Sequence, residues 1–187
     1  MSFARRLHYS YADYLRALAD SEIKLEYCDG VIYAMAGGTP LHAELSANAI
    51  RLLGHALLGR CKVFTSDLKV RVESSDLSTF PDATVVCGPL ETSAIDAHAC
   101  INPSLLVEVT SDSTEDSDRG DKLSHYKQLA SLRGVLFISH RTRRVTLVER
   151  QGTSWSEREH RQGEQVLIAE PQLSLSVDAL YEGVTLG

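Results

Sequence analysis

The run LLVEVTS, Leu105–Ser111, constrains the fold more than any other part of the chain. Side chains alternate along a strand, so Leu105, Val107 and Val109 share one face and Leu106, Glu108 and Thr110 the other. The run is apolar enough to be a central strand covered on both sides. Glu108 breaks that pattern. A carboxylate there is costly unless it is paired, neutralised or bound to a cation. Two readings fit: a Glu in a buried ion pair or at a half-exposed sheet end, and a metal ligand or catalytic acid.

Asp82 poses the same question. Pro81 cannot donate to a ladder and belongs at a strand start or an edge. Asp82 therefore stands at the mouth of the apolar run ATVVC, 26 residues before Glu108. Neighbouring strands can bring the two carboxylates to one sheet face, where they repel unless a cation lies between them. Magnesium takes about six oxygens, commonly one or two carboxylates with waters and a phosphate. A lysine nearby would orient the attacking water or stabilise the developing charge.

Around these strands the chain alternates between helix and strand signals. Ser10 and Asp13 open a helix over YADYLRALAD. Asp29-Gly30 joins two strands in KLEYCDGVIYAM, because a type I′ turn needs positive φ at both central residues. Thr39-Pro40 caps a second helix whose core side carries Leu41, Leu45, Ala49, Leu52, Leu53 and Ala56. Three strands are expected in KVFTSDLKVRVE, FPDATVVCG and SLLVEVTS, with a polar loop over roughly residues 88 to 103. A helix over DKLSHYKQLASL, further strands and a short closing helix in SVDALYEG complete the order. This is an α/β or α+β arrangement, a mixed sheet flanked by helices, expected as one domain over residues 1–187.

Composition narrows the classes. The 187 residues carry 19 Lys and Arg against 25 Asp and Glu, a net charge of −6, which argues against a protein that coats nucleic acid through bulk charge. The surplus is local: residues 108–121 hold six acids and one arginine, whereas 133–161 hold seven arginines and three acids. Arg141, Arg143 and Arg144 fit a phosphate-contacting arm, since the guanidinium fork matches phosphate, and equally a charged β-surface. No stretch is long and apolar enough for a membrane helix, and MSFARRLHYS lacks the apolar core of a secretory signal. A cytoplasmic protein is expected, with Cys28, Cys61 and Cys87 as reduced core residues. The acidic run after Glu108 fails the calcium-loop test, because its twelfth position is Tyr126, and reads as a solvated loop. Gly37-Gly38 lacks the lysine of a phosphate loop, and neither HExxH nor GxSxG occurs.

A Pro-Asp, a spacer and a Glu-x-Lys strand form the signature of restriction-endonuclease-like nucleases. The lysine position here holds Thr110. Lys122 is the replacement candidate, with Lys69 as the other; the plainer reading of Lys122 is a surface lysine lying beside Tyr126. The chain resembles the Uma-two family of restriction-endonuclease-like proteins through KLEYCDGVIYAMAGGTPLH, SDLKVRV, FPDATVVC, LLVEVTSDST and DKLSHY, in that order. The resemblance covers nearly the whole chain. It implies a restriction-endonuclease-like core, a Mg2+ or Mn2+ site, DNA as the substrate and a homodimer. By the same resemblance Asp82 and Glu108 are metal ligands, Lys122 the displaced lysine, Glu26 and His42 accessory residues, and Asp67 a weaker accessory match. From the residues alone, Glu26 is a cross-strand residue opposite Tyr33, and His42 a capping or packed histidine. A nuclease fold kept as a non-cutting nucleic-acid-binding or regulatory module is the alternative.

Overall fold

The computed structural model describes residues 8–35, 37–110 and 118–186. Most of the acidic loop, residues 112–117, lies outside the described residues.

The chain opens with α1 (Tyr11–Asp20), whose cap is reciprocal: Ser10 Oγ accepts from the Asp13 amide while the Asp13 carboxylate accepts from Ser10 N. Strands β1 (Leu25–Cys28) and β2 (Val31–Ala34) form the expected hairpin. Asp29 and Gly30 both have positive φ, 43° and 79°. Helix α2 (Pro40–Ala56) follows its Thr39 cap, and Leu45, Ala49 and Leu53 are its buried stripe. The next strands are β3 (Lys62–Thr65), β4 (Lys69–Val72), β5 (Leu77–Thr79) and β6 (Ala83–Val86). They are followed by β7 (Thr92–Ser93), β8 (Asp96–Cys100) and β9 (Leu105–Val109). A π-helical turn at Asp118–Lys122 runs into the one-turn helix α3 (Leu123–Tyr126). Four strands then complete the sheets, β10 (Gly134–Ile138), β11 (Arg144–Gln151), β12 (Ser154–Arg161) and β13 (Gln165–Ile168). The described chain ends with β14 (Leu173–Ser176) and α4 (Val177–Leu180).

The expected mixed sheet is present as two. One has the order β2-β1-β5-β4-β8-β7, the other β12-β11-β10-β9-β6-β3, and β13 pairs with β14 separately. Each six-stranded sheet is mixed, with one parallel pair: β4 beside β8, and β9 beside β10. The expected strand KVFTSDLKVRVE divides at Thr65–Leu68, and its halves enter different sheets. Part of the expected polar loop 88–103 is β7 and β8; Ala99 and Cys100 are buried where β8 lies along β4. Only Leu123–Tyr126 of the expected third helix is α-helical, with turns beyond it.

β9 is central in its sheet, and both its faces are buried. Leu105, Val107 and Val109 pack with α2, β14 and α4. Leu106 packs on the other face with Val70 and Val72 of the first sheet and with Tyr126, Leu129 and Leu132. Full burial of each such Leu or Val is worth roughly 1.5–3 kcal/mol. The glutamate is thus held in a strand that packing fixes on both sides.

The cysteines differ from expectation. Cys61 and Cys87 form a disulfide, with Cα atoms 4.2 Å apart. The cause is register: Lys62 faces Val86 across antiparallel β3 and β6, so the next pair outward is Cys61 and Cys87. Cys28 and Cys100 are free.

Candidate active site

Register sets the two expected carboxylates at one end of the sheet. Ala83 pairs with Val107 and Thr84 with Leu106 across antiparallel β6 and β9, so Asp82 and Glu108 each stand one position beyond that ladder. Asp82, at the strand entry, turns its Oδ2 over the end of the sheet and accepts from the Val109 amide at 2.7 Å. Nε2 of His42, in the first turn of α2, lies 3.3 Å from the same oxygen. A Cβ at Gly38 would lie 2.9 Å from His42 Nδ1, so glycine lets the backbone pass against the imidazole.

Glu108 is 5% exposed and is held by a group that the sequence reading did not assign to it. The Tyr126 hydroxyl donates to Glu108 Oε1 at 2.5 Å from a fully buried ring. Burial first, and the Glu108 charge second, push the Tyr126 pKa well above the phenol's ordinary value, so the hydroxyl keeps its proton. The sequence held no signal for this pairing, since Tyr126 and Glu108 are 18 residues apart and belong to different elements.

Glu26 comes from the other sheet. Its Oε1 accepts from the Thr79 hydroxyl, from Phe80 N at 3.3 Å and from Lys122 Nζ at 3.1 Å. The Glu26 side chain is only 14% exposed, so it is not the surface cross-strand residue of the plainer reading. Lys122 is likewise mostly buried and ion-paired rather than a surface lysine. Lys69 is disposed of by strand periodicity. It points to the α1 face of the first sheet, where it pairs with Asp96 at 2.6 Å and lies over the Tyr14 ring. Asp96 shows the strength of that pairing: burial raises its pKa, but hydrogen bonds from Lys69 and Tyr11 outweigh burial and lower it.

Asp67 is an exposed partner of Lys24 at 2.8 Å, and that hydrogen bond holds its carboxyl below the usual range. Arg141 and Arg143 lie in the β10–β11 turn and Arg144 begins β11. Parallel pairing of β9 with β10 places this turn at the end of the sheet where Glu108 lies, and Thr110 Oγ1 is 3.5 Å from His140 Nδ1. Arg144 also pairs with Glu159 at 3.4 Å.

Among the described residues, no three His, Cys, Asp or Glu side chains gather closely enough to hold a metal ion by themselves. The donor chemistry still suits a hard cation. Two carboxylates, Asp82 and Glu108, stand just beyond the β6–β9 ladder, and magnesium completes its shell with waters and phosphate oxygens.

The sequence model of the family described as "Uma2: Putative restriction endonuclease" matches residues 11–180. The chain belongs to the Uma2 family. It is 31% identical over 174 residues to "Uncharacterized protein slr1290" of Synechocystis sp., covering 92% of this chain and 90% of that one. It is 29% identical over 142 residues to "Uncharacterized protein sll1609" of the same organism, covering 75% and 80%. The fold is that of the crystal structure titled "a putative nuclease belonging to DUF820" from Anabaena variabilis. The TM-score is 0.75 and the identity 16%, covering 93% of this chain and 98% of that one. No helix among the described residues is long and apolar enough to cross a membrane.

Proposed function

We propose that this Uma2 protein is a divalent-metal-dependent endonuclease that hydrolyses phosphodiester bonds in DNA. The observation that supports the reading is the placement of Asp82 and Glu108 just beyond the β6–β9 ladder, with the Lys122–Glu26 pair one turn of chain from the Tyr126 that holds Glu108. Asp82 and Glu108 are the residues that would hold Mg2+ or Mn2+. Such an ion polarises a phosphoryl oxygen and lowers the pKa of a bound water.

The chain's own groups have separable parts in this reading. Tyr126 fixes the Glu108 carboxylate by occupying Oε1. Lys122 supplies positive charge toward the scissile phosphate, and Glu26 positions that ammonium. His42 orients Asp82 from the other side. Arg141, Arg143 and Arg144 contact flanking phosphates from the β10–β11 turn.

The test is supercoiled plasmid incubated with Mg2+ or Mn2+, for wild type and Glu108→Gln. Conversion to nicked or linear DNA by wild type, and a loss of at least 100-fold in the variant, is the expected result, since electrostatic stabilisation of this kind is worth about 10²–10³ in rate. Equal cutting by both proteins, or none by either, sinks the reading.

A second reading has its own support. Lys122 Nζ is bound to Glu26, and no three-residue ligand set occurs among the described residues. A nuclease fold that binds DNA without cutting it would give salt-sensitive binding without turnover.

A further inference from the structure

We propose that the cleft beside Asp82 is a subsite for an unstacked nucleobase, so that DNA with an unpaired base is the preferred substrate. This rests on the endonuclease reading of the site. The cleft has a volume of about 560 Å³ and reaches from the end of β2 to α2 and β3. That lies within the roughly 300–1,000 Å³ of small-molecule sites. Ile23, Met35, Ile50 and Phe80 give it an apolar lining, and its polar side chains include His42 and Asp82 beside Lys24, Ser46, Thr65 and Ser66.

Three features favour a base over a phosphate or a duplex groove. Lys24, the lysine in the lining, is committed to Asp67 at 2.8 Å and to the Ser66 carbonyl at 2.8 Å, so it forms no bare anion hole. The apolar lining suits the flat face of a heterocycle, which a continuous duplex keeps stacked inside and an unpaired nucleotide exposes. The cleft also shares Asp82 with the proposed metal site. A strand whose phosphate lies there therefore has its adjoining base within reach of the lining.

The test measures binding in metal-free buffer, where no cutting occurs. Two duplexes of equal length are compared, one continuous and one with a single unpaired 2-aminopurine. Wild type is expected to bind the second about tenfold more tightly, as stacking of one base on a protein surface allows. Its 2-aminopurine fluorescence should change on binding. Ala47 and Ala43 are exposed on α2 and line the cleft, so Ala47→Trp and Ala43→Trp fill it without entering the core. Both variants should lose the preference and keep the affinity for continuous duplex within about twofold. Equal binding of the two DNAs by wild type overturns the subsite alone, because metal-dependent cutting and its loss in Glu108→Gln are measured separately. A preference that survives both tryptophans also overturns it. Failure to bind either DNA overturns the subsite together with the DNA reading.

Discussion

Tyr126 shows how a buried carboxylate is given a neutral donor. A phenol whose pKa is raised keeps its proton through the neutral range, so Glu108 Oε1 meets a hydroxyl proton there. Tyr126→Phe removes that donor while keeping the ring. The expected cost is about 1–3 kcal/mol, read from urea unfolding, because a buried charged acceptor loses its partner. Gly38→Ala tests the other carboxylate. Its new methyl must displace the His42 ring. Thermal stability should stay nearly unchanged while plasmid cutting falls, if His42 orients Asp82 as proposed. Sequence periodicity showed that Glu108 was out of place in its strand. It could not show which group compensates, because Tyr126 follows Glu108 by 18 residues and meets it only through the tertiary fold.

Among the elements, those set by local chemistry were readable in advance. The Asp29-Gly30 hairpin, the Ser10 and Thr39 caps and β9 all follow from residues within a few positions of one another. β7 and β8 were not readable, since DAHAC is built on Asp and Ala, residues depleted in strands, and is held by pairing with distant β4. The disulfide was equally hidden: spacing gives no register, and only the pairing of β3 with β6 makes Cys61 and Cys87 neighbours. β3 is an edge strand joined to its sheet on one side only. Closing a loop with a sequence separation of 26 restricts the unfolded chain by about 3 kcal/mol. Cys61→Ser with Cys87→Ser should therefore unfold at lower urea by that amount, and reductant should shift wild type but not the double variant.

For the whole molecule, pH acts through phenols. Burial leads the causes that raise the pKa values of Tyr11, Tyr14, Tyr126 and Tyr181, the last to about 12. A group with its folded pKa above the unfolded value of about 10 keeps its proton in the fold after the unfolded chain has released it. The contribution is complete below pH ~10 and is lost as pH rises through the folded pKa. Burial raises the Cys28 and Cys100 thiols as well, so denaturant midpoints should hold steady from pH 7 to 8, begin to fall near pH 9 and fall steeply above 10. The sequence reading gave the class of fold. It gave one sheet where there are two, because halves of one apolar run were assigned to a single strand. That division also bears on how the proposed site assembles. Glu26 belongs to one sheet and Glu108 to the other, and the Lys122 that meets Glu26 is 96 residues further along the chain. Contacts of such separation carry a large loop-closure cost. In the endonuclease reading, a chain collapsed with its sheets undocked lacks its positioned lysine.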